Sequence, residues 1–145
     1  MSNNPGTLLQ GLIVSANRLT RIAAQSTGTT TPASVWRTLS ILVTDGPMRI
    51  GDLARASRIS QPSMTKVQQH LVEEELVYRI ADVEDSRAWL IAITPKGTRA
   101  LEEWRSQLAE ALSPLFSDLS EEETAVLERA VGILQERTDT KWKAA

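Results

Sequence analysis

The feature that most constrains this chain is a short polar helix followed at once by a hairpin. The helix is predicted from Ser60 to about residue 74, because serine is a good N-cap and Pro62 falls in the first turn, where its missing N–H is harmless. Residues 76–80 and 88–93 are predicted to form two strands around a polar tip. A helix and a hairpin tip can present two surfaces to one partner, and duplex DNA fits such a pair best.

The two faces of the predicted helix differ in chemistry. Taking about 100° per residue, Met64, Val67 and Leu71 cluster on one side. The opposite side carries mostly uncharged hydrogen-bonding groups and one lysine near its N-terminal end. Glutamine amides can pair bidentately with adenine, and a lysine can donate to guanine or to a phosphate. Alternatively, the polar side of this helix is an ordinary surface that faces solvent and binds no partner.

Composition limits the class of protein. A chain of 145 residues forms one domain or two small lobes. The absence of cysteine excludes disulfides, thiolate metal sites and a cysteine redox switch. Residues 100–145 hold ten acidic and five basic residues, so the net charge of −2 reflects an acidic C-terminal third. The sequence has no signal peptide and no apolar run near the roughly 20 residues of a membrane span, which predicts a soluble cytoplasmic protein.

Long amphipathic helices are predicted on both sides of the central block. Residues 8–23 carry apolar side chains at three- and four-residue spacing, and Ser120 with Glu123 forms a capping box that opens a last helix. Thr31-Pro32 and Thr94-Pro95 are predicted to start two further helices as N-cap and first-turn proline. Because a small monomer has little else to cover the apolar faces, we expect self-association.

Several motifs stand in the order found in one family. The sequence resembles the winged helix-turn-helix of MarR-type transcriptional regulators over roughly residues 32–101. The matching motifs are Leu53-Ala54, Ser60-Gln-Pro-Ser-Met-Thr-Lys66, Leu76-Val77, Asp82-x-x-Asp85-x-Arg87 and Leu90-x-x-x-Thr94-x-x-Gly97. The resemblance implies a mainly α (α+β) fold with a two-stranded wing, in which residues 31–99 form the DNA-binding lobe. Residues 1–30 and 100–145 would form the helical dimerisation lobe.

The resemblance also implies roles for individual residues. It describes a homodimer that represses from a pseudo-palindromic operator on double-stranded DNA, with release by a small aromatic or anionic effector in members that sense one. The recognition helix would contact DNA through Ser60, Gln61, Pro62, Ser63, Thr65, Lys66 and Gln69. Arg87 would be the wing arginine, supported by Asp85. The candidate phosphate contacts are Arg37, Arg49, Arg55 and Arg58. Contacts to phosphate would position the protein on the DNA without specifying sequence.

The sequence departs from the family pattern at three positions. Ser86 stands where many members have a second basic wing residue, which predicts a weaker grip on phosphates. Glu75 stands where glycine commonly ends the recognition helix, which predicts a less sharply capped turn. Arg49 replaces a helix-capping serine or threonine and gains a potential phosphate contact.

The same residues admit other functions. Ser63-Met-Thr-Lys66 matches the S-x-x-K string of acyl-transfer enzymes, but the partner motifs are missing and the chain is small for that fold, so we expect no enzyme. The single histidine and the acidic wing tip favour neither a metal nor a cofactor. Arg87 could instead pair with an acidic residue of the hairpin tip. Trp36 and Trp104 suit core packing, or alternatively an effector cleft. A helical protein–protein interaction module that keeps the winged fold without binding DNA is the remaining rival.

Overall fold

The computed structural model describes residues 4–28 and 30–139. Within them it contains six α-helices and three β-strands. The helices are α1 (Pro5–Thr27), α2 (Ala33–Asp45), α3 (Ile50–Ser57), α4 (Gln61–Glu73), α5 (Pro95–Leu112) and α6 (Glu121–Arg137). The strands are β1 (Met48–Arg49), β2 (Val77–Ala81) and β3 (Trp89–Ile93). This order confirms the predicted mainly helical winged helix-turn-helix.

The sheet has one strand more than predicted. Its three antiparallel strands lie in the order β1-β3-β2, with Met48 opposite Ile91 and Arg79 also opposite Ile91. The predicted two-stranded wing is confirmed as β2 and β3, whereas β1 was not predicted. A strand of two residues is too short to show the alternation of polar and apolar residues that marks a strand in sequence.

The chain divides into two compact units. The described part of the first comprises residues 4–28 and 30 with 104–127, and that of the second comprises residues 31–103 with 128–139. The second unit contains the sheet and has a well-packed core. Its largest fully buried apolar side chains lie on α2, α3, α4 and α5. They are Leu39, Leu53, Met64, Leu71 and Leu101.

Most of the predicted helix starts are confirmed by their capping hydrogen bonds. The hydroxyl of Ser60 accepts from the backbone N–H of Ser63 at 3.2 Å. In the capping box, Ser120 accepts from the N–H of Glu123 at 3.0 Å, and the Glu123 carboxylate accepts from the N–H of Ser120 at 3.1 Å. The prediction for Thr31 was wrong, because Pro32 occupies the N-cap of α2 and supplies no capping side chain.

The outer helices keep their apolar side chains exposed within this chain. On α1 only Ala23 is buried, whereas Leu8 and Ile13 are 66% and 62% exposed. On α6 no residue is buried, and Val126 is 60% exposed. Helix α5 ends at Leu112, and one 3-10 turn (Ser113–Phe116) follows it. None of the helices in the described ranges is long and apolar enough to cross a membrane.

Candidate nucleic-acid interface

The predicted recognition helix is α4, and its hydroxyl groups are largely occupied by the helix itself. Ser60 donates to the hydroxyl of Ser63 at 2.8 Å while capping the first turn, and Thr65 donates to the carbonyl of Gln61 at 3.0 Å. Each hydroxyl oxygen can still accept from outside. The side chains of Ser60, Pro62 and Ser63 are exposed. These groups therefore stiffen the start of the helix and offer mainly acceptors.

Three longer side chains of α4 project to solvent. Gln61, Lys66 and Gln69 are exposed, and no hydrogen bond or ion pair ties their side chains to another of the described residues. The Gln61 carboxamide oxygen lies beside Gly51 on α3, 3.4 Å from where a Cβ would stand. Amide and ammonium groups without intramolecular partners keep all their hydrogen-bonding capacity for base edges or phosphates.

The turn between α3 and α4 depends on two of the predicted phosphate contacts. Arg58 ends α3 with a φ of 59°, and its backbone N–H donates to the carbonyl of Arg55 at 3.1 Å. Arg37 on α2 donates from Nη1 to the carbonyl of Ser57 at 2.9 Å, where a cation also meets the negative end of the helix dipole. Arg37 therefore has a structural role here, whereas the Arg58 side chain is exposed.

The other two predicted phosphate contacts are engaged in ion pairs. Arg55 pairs with Asp52 one turn earlier on α3. Arg49 donates from Nε to Asp82 Oδ2 at 2.7 Å, and its Nη2 lies 2.6 Å from the same oxygen. The second contact joins the residue before α3 to the end of the wing strand β2. It fixes the wing base against the helix-turn-helix.

Hydrogen bonds account for the protonation properties of this ion pair. The backbone N–H of Glu84 donates to Asp82 Oδ1 at 3.0 Å and, with the bond from Arg49, holds the pKa of Asp82 below its usual range. The same hydrogen bond to Asp82 raises the pKa of Arg49. A carboxylate that accepts several hydrogen bonds is stabilised in its charged form.

The wing tip is shaped by two aspartates that bind backbone. Asp82 accepts from the N–H of Glu84, and Asp85 accepts from the N–H of Arg87 at 3.0 Å. Both are side-chain turns that favour the tight tip. The alternative ion pair between Arg87 and the tip aspartates is absent within residues 4–28 and 30–139, where Asp82 pairs with Arg49 instead. The Arg87 side chain is exposed.

The turn that leaves α4 keeps left-handed geometry without glycine. Glu75 has a φ of 61°, its N–H donates to the carbonyl of Val72 at 3.0 Å, and the N–H of Leu76 donates to that of Leu71 at 2.9 Å. These are the two bonds of a tightly closed helix end. The expectation of a less sharply capped turn was therefore wrong, although a side chain in this conformation costs strain.

Sequence reasoning missed three residues next to this surface. Gln68 on α4 is 5% exposed, and its amide nitrogen is buried without a hydrogen-bond partner in the described structure. Together with Arg79 on β2 and Trp89 on β3 it borders a cavity of about 550 Å³. One signal was available, since Gln68 is a polar residue one turn beyond Met64 on the apolar face of the helix.

The tryptophans proposed for an effector cleft lie in different units. Trp36, on α2 of the second unit, and Trp104, on α5 of the first, are each half-buried. Among the described residues there is no cluster of three His, Cys, Asp or Glu that could hold a metal ion. The acidic wing tip is thus used for turns and the Arg49 ion pair.

The fold and its exposed helix and hairpin define a winged helix-turn-helix protein. A model of the MarR family matches residues 32–89. The chain is 29% identical over 96 residues to the uncharacterized HTH-type transcriptional regulator YsmB of Bacillus subtilis, covering 66% of each chain. It is 26% identical to the homoprotocatechuate degradative operon repressor of Escherichia coli, covering 72% and 73% of the two chains. The alignments with YsmB and two further B. subtilis regulators span 57–66% of those relatives' lengths.

A solved structure of a MarR family protein from Bacillus stearothermophilus has the same fold. It superposes with a TM-score of 0.68 at 22% identity and covers 94% of this chain and 97% of that one. Residues 32–89 of this chain are therefore similar in sequence to the MarR family, and the fold is that of a MarR family protein.

Proposed function

We propose that this protein is a sequence-specific DNA-binding transcriptional regulator, acting as a repressor. The observation that carries the proposal is the arrangement of α4 and the wing within one unit. Gln61, Lys66 and Gln69 project from the helix without hydrogen-bond or ion-pair partners among residues 4–28 and 30–139, and Arg87 projects from the wing tip. In this proposal α4 lies in the major groove and reads base edges, while Arg87 enters the narrow minor groove, where negative potential is enhanced.

The arginines divide into two groups under this proposal. Arg58 has an exposed side chain and contacts phosphate directly. Arg37, Arg49 and Arg55 already bond to Ser57, Asp82 and Asp52, so their phosphate contacts use the remaining guanidinium N–H groups. Each such contact positions the protein on the duplex without reading sequence. The similarity to the homoprotocatechuate degradative operon repressor of E. coli supports the repressor assignment.

The protein acts as a homodimer in this proposal. The apolar side chains left exposed on α1 and α6, including Leu8, Ile13 and Val126, support it. An apolar surface of this kind on a monomer marks an interaction site. Two protomers place two recognition helices about one DNA turn apart, roughly 34 Å, on a pseudo-palindromic operator.

Dimerisation can be tested independently of DNA. Ile13→Arg places a charge on an apolar side chain of α1 that is 62% exposed, and we expect it to shift the mass measured by light scattering from dimer to monomer. The matched control is Gln10→Arg, which adds the same charge at a polar position of α1. A parent protein that is monomeric at micromolar concentration contradicts the dimer.

An effector completes the proposal. A small aromatic or anionic molecule releases the operator by favouring a protomer spacing that no longer matches it. Such release requires that the molecule bind the two states with different affinity. Trp36 and Trp104 are the candidate effector contacts, each half-buried and aromatic.

The deciding experiment is a fluorescence anisotropy titration of the DNA upstream of the gene. We expect submicromolar, sequence-dependent binding in which log affinity falls with log salt at a slope near −7, if two protomers neutralise about eight phosphates. A scrambled duplex of equal length is the control. Absence of a salt-sensitive, sequence-dependent change supports instead a protein–protein interaction module that keeps the winged fold.

A further inference from the structure

Strand β2 forms one edge of the sheet. It pairs with β3 on one side, and no strand within residues 4–28 and 30–139 pairs with its other side. The strand Val77–Ala81 contains no proline and no lysine, and its register with β3 runs one to one without a bulge. Proline, lysine and bulges are the usual means by which a protein protects an edge strand from further pairing. This edge therefore lacks the usual protection against an added strand.

Alternate residues of β2 direct their backbone groups away from β3. The carbonyl of Leu76 accepts from the N–H of Thr94 at 3.0 Å, and the N–H of Asp82 donates to the carbonyl of Ala88 at 3.1 Å. Because hydrogen bonding alternates along an antiparallel strand, residues 78 and 80 also face β3 and the residues between them face outward. Two of the outward-facing residues are exposed and make no hydrogen bond with another described residue through these groups. They are Arg79 and Ala81.

The charge on this edge favours an acidic partner. Arg79 makes no ion pair with any other residue in the described ranges, and its cross-strand neighbour on β3 is the apolar Ile91. On an added strand, a glutamate placed opposite Arg79 would supply the missing counterion. Opposite charges across neighbouring strands are stabilising, and a guanidinium can hold a carboxylate with two hydrogen bonds.

The same charge disfavours a second copy of this chain on the edge. A two-fold pairing of two β2 strands through their outward-facing residues brings the two Arg79 side chains to one face, directly opposite or diagonal to each other. Like charges in such positions are destabilising. Of the two occupants, the segment with a negative charge therefore fits the edge better.

A concavity of about 600 Å³ lies beside the edge, within the second unit. Its lining includes Val72 on α4, Val77 and Arg79 on β2 and Trp89 on β3. Trp89 stands opposite the small Ala81 and is 56% exposed. Residues two apart on a strand share a face, so an added strand with a glutamate opposite Arg79 places its next residue on that face beside Trp89. An apolar side chain there would cover the indole.

We propose that the free edge of β2 is a docking site for an extended acidic segment of another protein, which adds to the sheet as an antiparallel strand. The segment exchanges backbone hydrogen bonds with Arg79 and Ala81. Its carboxylate pairs with the Arg79 guanidinium, and an apolar side chain two residues away covers Trp89. In this mode of recognition the backbone provides affinity and the side-chain contacts provide specificity. Docking does not require DNA, so it is tested independently of the proposed function.

Binding is measured by fluorescence anisotropy on the full-length protein without DNA. The probe is the peptide Thr-Phe-Val-Glu-Thr-Val-Thr with an N-terminal fluorophore and an amidated C-terminus, in which phenylalanine, glutamate and the second valine share one face. We expect saturable binding, and binding at least about tenfold weaker when lysine replaces the glutamate. Absence of binding by the acidic peptide, or equal affinity of the two peptides, overturns the proposal.

Backbone pairing is tested by N-methylation of the peptide, which removes N–H donors. Methyl groups on phenylalanine, glutamate and the second valine block the edge that faces β2 and should abolish binding. Methyl groups on the first valine and the threonine after glutamate, whose N–H groups face solvent, are the matched control and should change the affinity by less than about threefold. Equal effects of the two patterns overturn the proposal.

Amide hydrogen exchange locates the peptide on the protein. In the free protein the amide protons of Tyr78 and Ile80 should exchange slowly and those of Arg79 and Ala81 rapidly, because only the first two bond to β3. The acidic peptide should slow exchange at Arg79 and Ala81. No change at these two amides overturns the proposal. Slow exchange of both in concentrated protein without peptide would identify a second copy as the occupant and also overturns it.

A charge reversal tests the role of Arg79. Arg79→Glu should bind the lysine peptide more tightly than the acidic one, whereas the matched control Arg99→Glu, at an exposed position of α5, should keep the preference of the parent. Because Arg79 is exposed and has no ion pair in the described ranges, the thermal midpoint of its variant should stay close to that of the parent. An Arg79→Glu protein that still prefers the acidic peptide overturns the proposal.

Discussion

The hydroxyl of Thr94 donates to the backbone carbonyl of Glu75 at 2.7 Å. The same oxygen accepts from the N–H of Gly97 at 3.0 Å and so caps α5. In addition, the backbone N–H of Thr94 donates to the carbonyl of Leu76 at 3.0 Å. One residue therefore closes the turn after α4 and starts α5, the helix after the wing.

Replacing Thr94 by valine keeps its shape and removes both hydroxyl bonds. We expect Thr94→Val to lower the free energy of unfolding by about 1–3 kcal/mol, the sum of a lost helix cap and a lost hydrogen bond. Thr94→Ser retains the hydroxyl and should remain within roughly 0.5 kcal/mol of the parent. Urea denaturation at a fixed protein concentration measures both. Equal losses in the two variants would show that the methyl group matters as much as the hydroxyl, which contradicts the prediction.

Gly97 is required by a close approach of α5 to Leu76, the residue before β2, and to Ile93 at the end of β3. A Cβ at this position would collide with the backbone carbonyl of Leu76 and would lie 2.8 Å from Cγ1 of Ile93. We expect Gly97→Ala to destabilise the protein by about 2–4 kcal/mol despite the better helix propensity of alanine. The control is Gly132→Ala on α6, where a Cβ meets nothing within 4 Å, and which should stabilise by roughly 0.5–1 kcal/mol. We expect the thermal midpoint to fall in Gly97→Ala and to rise in Gly132→Ala.

Glu75 holds a backbone conformation that favours glycine. Because its φ is 61°, we expect Glu75→Gly to raise the free energy of unfolding by about 0.5–1 kcal/mol. The exposed ion pair with Lys96, at 4.0 Å, contributes little against this gain. Glu73→Gly, at the last residue of α4, is the matched control and should destabilise. The prediction is wrong if the urea midpoints of both variants fall.

The ion pair between Arg49 and Asp82 predicts a pH dependence of stability. Since the pKa of Asp82 is lowered in the folded protein, its stabilising contribution is present above the unfolded pKa of about 3.9 and is lost as the pH falls through the folded value. Asp82→Asn should therefore be less stable than the parent at pH 6–7, with the difference shrinking below about pH 4. Urea midpoints measured from pH 3 to pH 7 test this. A difference that stays constant over that range excludes the carboxylate as its source.

The helix and the wing should contribute differently to DNA binding. We expect Arg87→Ala to weaken binding to most sequences, because its minor-groove contact carries little base information. Gln61→Ala should instead relax the preference at one base pair by about 1–3 kcal/mol. Anisotropy titrations against the operator and its single-base variants measure both effects. An Arg87→Ala protein that binds the operator as tightly as the parent at physiological salt contradicts the wing assignment.

Much of the architecture could be predicted from local sequence. The caps at Ser60, Thr94 and Ser120 form as expected, because a capping hydrogen bond involves residues only three positions apart. The strand β1 could not be predicted, since two residues become a strand only by pairing with β3. The turn at Glu75 was also misjudged, because its closure is supported by Thr94, 19 residues away.

In the candidate site, too, features set by nearby residues could be predicted and features set by distant residues could not. The sequence indicated that Arg87 and the polar side of α4 face a partner, and the structure leaves Gln61 and Lys66 projecting freely from that helix. It did not indicate that Arg49 pairs with Asp82, 33 residues away. Long-range pairs of this kind depend on where strands and helices meet, which a pattern of nearby residues does not encode.

By itself, the sequence determined the order of the helices, the position of the wing and the polar face of α4, because these follow from periodicity, caps and motifs within a few residues. Only the tertiary structure decided which charges remain available. It engages Arg37, Arg49 and Arg55 in contacts of their own, and among the described residues it leaves Arg79 and Arg87 without an ion pair beside the buried amide of Gln68. The physical reason is that the partner of a charge is set by packing between elements distant in the chain.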